Sequence, residues 1–191
     1  MKELLLDSID SPIGTVLIVV DDDKLCFLDY SEYEPRMMRL LERRYGPAHF
    51  TAVTDPGGLS RHMRDYFAGD MHALDTIPVS ISGTPFQQQV WLALRSIPAG
   101  STISYGALAA QVGRPSAYRA VGATNASNPI AIVLPCHRVI GANAALTGYA
   151  GGLERKQWLL QHESVHGHDV PIDRTIQLAL GSHGSQRSEW G

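Results

Sequence analysis

A chain of 191 residues with 44% hydrophobic content can bury one compact core or two small ones, which excludes a disordered polymer. No run of about 18 apolar residues occurs, so a membrane partner is not expected, and two cysteines, Cys26 and Cys136, are too few for a disulfide scaffold or a four-ligand zinc site. The net charge of −3 argues against nucleic acid, yet residues 1–84 hold 8 Lys/Arg against 14 Asp/Glu while residues 85–165 hold 6 against 2. No acid stands between Asp75 and Glu154, whereas Arg95, Arg114, Arg119 and Arg138 do. Such a half tolerates a polyanion, and a buried half with few charges fits the same count equally well.

Residues 13–20, IGTVLIVV, and 24–30, KLCFLDY, are apolar, β-branched runs around Asp21-Asp22-Asp23, the pattern of a hairpin. Cys26 lies in its second strand with no neighbouring His or Cys and is assigned to core packing. Residues 34–45 repeat Met37, Leu40, Leu41 and Tyr45 at helical spacing, and the arginines between them are assigned to the solvated face. A short helix over 59–68 presents Leu59, Met63, Tyr66 and Phe67 and stops at Gly69. Residues 71–83 read as the connection between two units. Thr84-Pro85-Phe86-Gln87 then supplies an N-cap, a proline at the first helical position and a capping-box glutamine, and Phe86, Val90, Trp91 and Leu94 form the apolar stripe of the helix that follows.

Residues 104–112, the turn Gly113-Arg114-Pro115 and residues 116–126 outline a helix-turn-helix. Alanines and glycine on its second helix would let the backbone approach a groove, with Arg119 the one long projection. Close helix–helix packing with Arg119 at the rim predicts the same pattern. Asn128-Pro129 ends that helix, and an apolar run leads into Pro135-Cys136-His137-Arg138. A last helix over 153 to about 162 turns Trp158, Leu159 and Leu160 inward, leaving Glu163 at its C-terminal end. A carboxylate there opposes the helix dipole by about 0.3–1 kcal/mol, which calls for another partner. Residues 166–191 are polar and rich in Gly and Ser, and a mobile tail is expected.

Cys136-His137 joins a soft nucleophile to the side chain best able to take its proton near neutral pH. Taken alone the dipeptide decides little, because buried structural cysteines are common. The wider pattern decides more. GTPFQQQVWLAL, IPAGSTISYGALA, RAVGATNASNPIAIVLPCHRVIG and LTGYAGGLERKQWLLQHE, with weaker SPIG and YFAGD upstream, resemble the O6-alkylguanine-DNA alkyltransferases over about residues 9–163.

The resemblance implies an α/β N-terminal domain, a small ribonuclease-like sheet with helices over residues 1–78, and a mainly α-helical C-terminal domain with a helix-turn-helix over 84–165. It implies irreversible transfer of an alkyl group from guanine O6, and as a further substrate from thymine O4, to Cys136 in a single turnover. His137 would take the thiol proton through a water and Glu163 would orient that histidine. Asn128 would tie the recognition helix to the cysteine loop, and Tyr105 would donate toward guanine N3. Ser104, Arg138, Val139, Tyr149 and Ala150 would line the base site, with backbone at Cys136 and Val139 accepting from the exocyclic amine and the Ala150 amide reaching O6. Arg119 would fill the gap left by a flipped nucleotide. The implied partner is double-stranded DNA containing O6-alkylguanine, bound by a monomer with cooperative binding left open. No cofactor and no metal are expected, since the zinc site of some relatives needs several Cys and His. An N-terminus with acids and a Pro-Gly turn in place of a basic, apolar signal points to a cytoplasmic protein.

Two departures stand out. Ala126-Ser127 replaces a usual glycine after Asn125, and Asn143-Ala144-Ala145 lacks a glycine often found in that turn. Two other classes stay open on the residues alone. A binding module that marks damage would bind DNA unmodified, and a Cys-His hydrolase would turn over repeatedly without DNA.

Overall fold

The computed structural model describes residues 2–142, 144 and 146–166. Asn143, Ala145 and the tail from residue 167 onward lie outside them. The N-terminal half is a four-stranded sheet of order β3-β2-β1-β4, made by β1 (Lys2–Ile9), β2 (Val16–Asp21), β3 (Lys24–Tyr30) and β4 (Ala48–Ala52), with β1 and β4 parallel and the other pairs antiparallel. The β2–β3 hairpin closes through Asp22 and Asp23, both at positive φ, as a two-residue turn matched to strand twist requires.

Alternation along the strands, interrupted by the bulge where Val19 and Val20 pair with Phe27 and Leu25, divides the core. Leu4, Val19, Cys26 and Phe27 face Met37 and Leu41 of α1 (Glu34–Tyr45), so Cys26 is packing. Val16, Ile18, Val20, Leu25 and Leu28 face the other way, into one apolar cluster shared with α2 (Leu59–Phe67) and the C-terminal half. That half comprises α3 (Pro85–Leu94), β5 (Ile103–Ser104), α4 (Tyr105–Gln111), α5 (Tyr118–Ala126), β6 (Val139–Ile140) and α6 (Leu153–His166). Thr84 and Gln87 form the expected reciprocal cap of α3.

The free edge of β3 is the first thing that positions the cysteine loop. Leu25 pairs with Pro78 and Ser80 of the connection, and farther along Leu28 N donates to Pro129 O (3.0 Å) while Leu28 O accepts from Ala131 N (2.8 Å). An edge that could template aggregation is thereby covered, and the start of the loop is registered to the sheet.

The arginines of α1 correct the sequence reading. Arg39 and Arg43 are exposed, but Arg36 pairs with buried Asp29 of β3 and donates to Asn128 O (3.2 Å), while Arg44 clamps Ser80. A buried carboxylate and unpaired carbonyls beside the sheet edge supply stronger partners than water.

Candidate active site

Cys136–Arg138 form one 3-10 turn, and all three side chains are buried. The loop leading to it is unusually tight. Val133 N bonds Ala131 O (2.8 Å) around Ile132 at φ +69, and Cys136 N bonds Leu134 O (2.7 Å) around Pro135. These are two three-residue turns, and a β-branched residue at positive φ costs about 1–3 kcal/mol that the surroundings must overcome. Asn128 supplies much of the restraint. Its Nδ2 donates to Leu134 O (2.7 Å) and its Oδ1 accepts from Ile130 N (3.0 Å). Asn125, which sequence reasoning passed over, donates from α5 to Cys136 O (3.1 Å).

A 3-10 turn has three residues per revolution, so the three side chains point about 120° apart. His137 Nε2 lies 2.8 Å from Glu163 Oε1. Arg138 turns inward as well, its Nε and Nη2 donating to the two Glu163 oxygens at 3.0 and 2.9 Å and its Nη1 to Ile97 O. The sequence reading put Arg138 at the base site; the structure puts its guanidinium on the buried carboxylate. Tyr66 of α2 adds another donor to Glu163 Oε1 at 2.8 Å. α6 continues to His166, so Glu163 sits in its last turn, and these donors are the partner that its place against the helix dipole demanded.

Charge follows from this network. Burial alone would raise the Glu163 carboxyl, but His137 and Arg138 overcome it and hold the group well below the ordinary carboxylate range. Burial lowers His137 against the pull of Glu163, keeping the imidazole neutral. An ionised Glu163 fixes Nε2 as the protonated nitrogen, so Nδ1 is an acceptor, and it is buried with no hydrogen-bond partner among the described residues. The Cys136 thiol is pushed up to about 11 by burial, with Asn128 and Lys156 working the other way. Iodoacetamide labelling of the DNA-free protein is therefore expected to be slow at neutral pH and to climb about tenfold per pH unit toward 11, read from the mass of the Cys136 peptide.

Lys156, part of the LTGYAGGLERKQWLLQHE stretch but given no role in the sequence reading, is a further residue of this centre. It is fully buried, its Nζ donates to Val139 O (2.7 Å) and Thr147 O (2.8 Å), and burial lowers it to about 8. It stands with Leu160 and Glu163 at helical spacing on the inner side of α6, a signal that the period alone carries. Lys156 thus holds Val139 O, while Cys136 O accepts from both Asn125 Nδ2 and the Val139 N–H that closes the 3-10 turn.

The remaining candidates lie around this centre. Ser104 caps α4, accepting from Ala107 N at 3.0 Å, and β5 and β6 pair Ile103 with Val139 and Ser104 with Ile140. Tyr105 packs beside Gly122 of α5 and donates to Thr147 O and Gly148 O at 3.3 Å. Tyr149 meets Tyr30, hydroxyl to hydroxyl, at 3.0 Å. Gly151 is required between them, since a Cβ there would fall 2.4 Å from the Tyr30 ring and 2.6 Å from that of Tyr149. Ala150 is exposed. On α5, Arg119, Ala120 and Ala123 form an exposed, low-profile face, and Trp91 Nε1 locks the helix to α3 through Thr124 O (2.9 Å). α5 ends at Ser127 with φ −96, so the first departure from the family pattern needs no glycine; at the second, Ala144 takes φ +57 itself.

Fold and site together define a sheet domain joined to a helix-turn-helix domain that buries a cysteine beside a carboxylate-held histidine. Residues 4–81 match the family described as 6-O-methylguanine DNA methyltransferase, ribonuclease-like domain, and residues 85–165 the same protein's DNA binding domain. The methylated-DNA–protein-cysteine methyltransferase of Shigella flexneri is 50% identical over 85% of this chain and 97% of its own, and that of Mycobacterium bovis 44% identical over 88% and 96%. Among solved structures, Mycobacterium tuberculosis O6-methylguanine methyltransferase is 40% identical with a TM-score of 0.71 over 91% of this chain and 99% of its own. The M. tuberculosis OGT structure in complex with DNA gives 40% and 0.72 over 92% and 99%. The chain belongs to the methylated-DNA–protein-cysteine methyltransferase family.

Proposed function

We propose that this protein repairs DNA by moving an alkyl group from guanine O6 in a duplex irreversibly onto Cys136. The observation that carries the reading is the buried thiol next to a histidine whose Nε2 is held by Glu163 and whose Nδ1 is left as a buried acceptor. The Cys136 proton passes to His137 through a water, sulfur attacks the alkyl carbon in line, the carbon–oxygen bond breaks, and guanine leaves with the electron pair. Tyr105 protonates the departing base at N3 and regains a proton from solvent as the His137 imidazolium gives up the one it took from the thiol, so guanine's new proton is balanced by the thiol's. A thioether does not hydrolyse, hence one turnover.

The base must leave the stack to reach a buried sulfur, at a few kcal/mol. Arg119, on the exposed face of α5, fills the gap, while Tyr149, the Ala150 amide, Ser104 and the backbone at Cys136 and Val139 line the pocket. The protein acts as a monomer, and its division into units at about residues 79–83 separates the sheet domain from the part that engages DNA. Among the described residues no helix is long and apolar enough to cross a membrane. A cytoplasmic setting, which keeps thiols reduced, suits a function resting on a free cysteine.

Incubation with a duplex carrying one O6-methylguanine, followed by intact and peptide mass, tests the reading. One methyl on the Cys136 peptide and none on Cys26 is expected; bound but unmodified protein would overturn it. Tyr105→Phe is expected to slow transfer about 10²-fold in the same single-turnover assay while duplex affinity stays within a few-fold.

A further inference from the structure

Glu163 Oε1 accepts from three groups: Tyr66 Oη (2.8 Å), His137 Nε2 (2.8 Å) and Arg138 Nη2 (2.9 Å). Two of these belong to the cysteine turn. The third reaches in from α2, in the N-terminal half, from a tyrosine with no solvent exposure. We propose that Tyr66 is a positioning residue that tunes the proton affinity of His137 through their shared Glu163 oxygen, and so sets the pH range in which Cys136 can lose its proton. The inference rests on the alkyl-transfer reading for its consequence and on the hydrogen-bond network for its existence.

An ionised carboxylate only accepts, so the Tyr66 hydroxyl must donate, and its hydrogen points at the same oxygen that His137 Nε2 holds. The positive end of that O–H dipole therefore faces the place where an imidazolium would form. It also draws electron density from the oxygen that would stabilise that imidazolium. Both effects disfavour a protonated His137 at rest. Around the pair stand Cys136 and Arg138 of the turn, Lys156 and His162 of α6, Tyr66 of α2 and Tyr30 of β3. Arg138 and Lys156 push His137 in the same direction as Tyr66, and Glu163 opposes them. A ring that served packing alone would need no hydroxyl. The Tyr66 ring already has edge contacts with Phe67 (5.4 Å) and His162 (5.3 Å), which phenylalanine would keep.

The test uses the full-length protein and a duplex bearing one O6-methylguanine. Tyr66→Phe is expected to move the acidic limb of the single-turnover rate upward by roughly half a pH unit relative to its own plateau. Tyr66→Met, which also removes the hydroxyl but fills the space differently, is expected to show the same shift. Phe67→Leu, a packing change on the same helix, is expected to lower stability without moving the limb. An NMR titration of the ¹⁵N-labelled His137 ring in DNA-free protein reads the same quantity independently of transfer. An upward shift in both hydroxyl-lacking variants, absent in Phe67→Leu, supports the role. If wild type transfers methyl and its limb and imidazole titration coincide with those of Tyr66→Phe, the proposal is overturned. Failure of wild type to transfer sinks the alkyl-transfer reading instead, and the imidazole titration still decides for or against Tyr66.

Discussion

Replacing Cys136 with alanine is expected to abolish methyl transfer from an O6-methylguanine duplex while leaving duplex binding within a few-fold of wild type. The asymmetry follows from where the side chain stands. Cys136 is 4% exposed, in a turn held from behind by Asn125, Asn128 and the sheet edge, whereas the exposed face of α5 is built from Arg119, Ala120 and Ala123. Removing one sulfur changes no contact on that face, and the lost buried volume costs about 1 kcal/mol, too little to unfold the domain. Transfer has no substitute nucleophile, because Cys26 is packed in the separate cluster between the sheet and α1. Single-turnover transfer and duplex titration on one preparation check both halves. Residual transfer appearing on Cys26 would falsify the assignment of the acceptor, and loss of binding would show that the thiol loop shapes the DNA face.

The elements easiest to read from the sequence are those fixed by local chemistry. α1 runs over the residues its apolar period marks, α3 starts at its cap, and the β2–β3 turn lies at the Asp run, because capping, φ preference and apolar spacing act within a few residues. β1 and β4 escaped the reading. Their pairing is parallel and joins Lys2 to Ala48 across most of the domain, so neither strand carries a turn signal naming its neighbour. The site divides in the same way. Cys136, His137 and Asn128 lie in one short motif, and Glu163 betrayed itself by opposing a helix dipole. Tyr66, Arg36 and Lys156 make contacts from remote segments, and only two faint signs mark them: a hydroxyl on the buried stripe of α2, and a lysine spaced with Leu160 and Glu163. Arg138 misled because adjacency to the nucleophile suggests a shared target, whereas the buried Glu163 carboxylate on α6 takes its guanidinium.

Glu163→Ala is expected to destabilise the protein by about 3–5 kcal/mol and to reduce transfer to near background. Glu163 is fully buried and is the common acceptor for Tyr66, His137 and Arg138. Deleting it strands the buried Arg138 guanidinium with Ile97 O as its remaining partner, and an uncompensated buried cation dominates the cost. Arg138→Met added to Glu163→Ala removes that cation and is expected to recover much of the stability in urea titration. Transfer is not expected to return with it, because His137 Nε2 would still lack the acceptor that fixes its tautomer, leaving Nδ1 free to carry the proton. The pH dependence has a definite sign. The Glu163 carboxyl is held below its ordinary value of 4.5, so its stabilisation is present above that pH and is lost as the pH falls below it. Wild type is accordingly expected to lose stability more steeply than Glu163→Ala on acidification below about pH 4.5. Parallel acid-unfolding curves would show that the carboxylate is not the group the fold depends on. Recovery of transfer in the double variant would show that His137 needs no partner to accept the thiol proton.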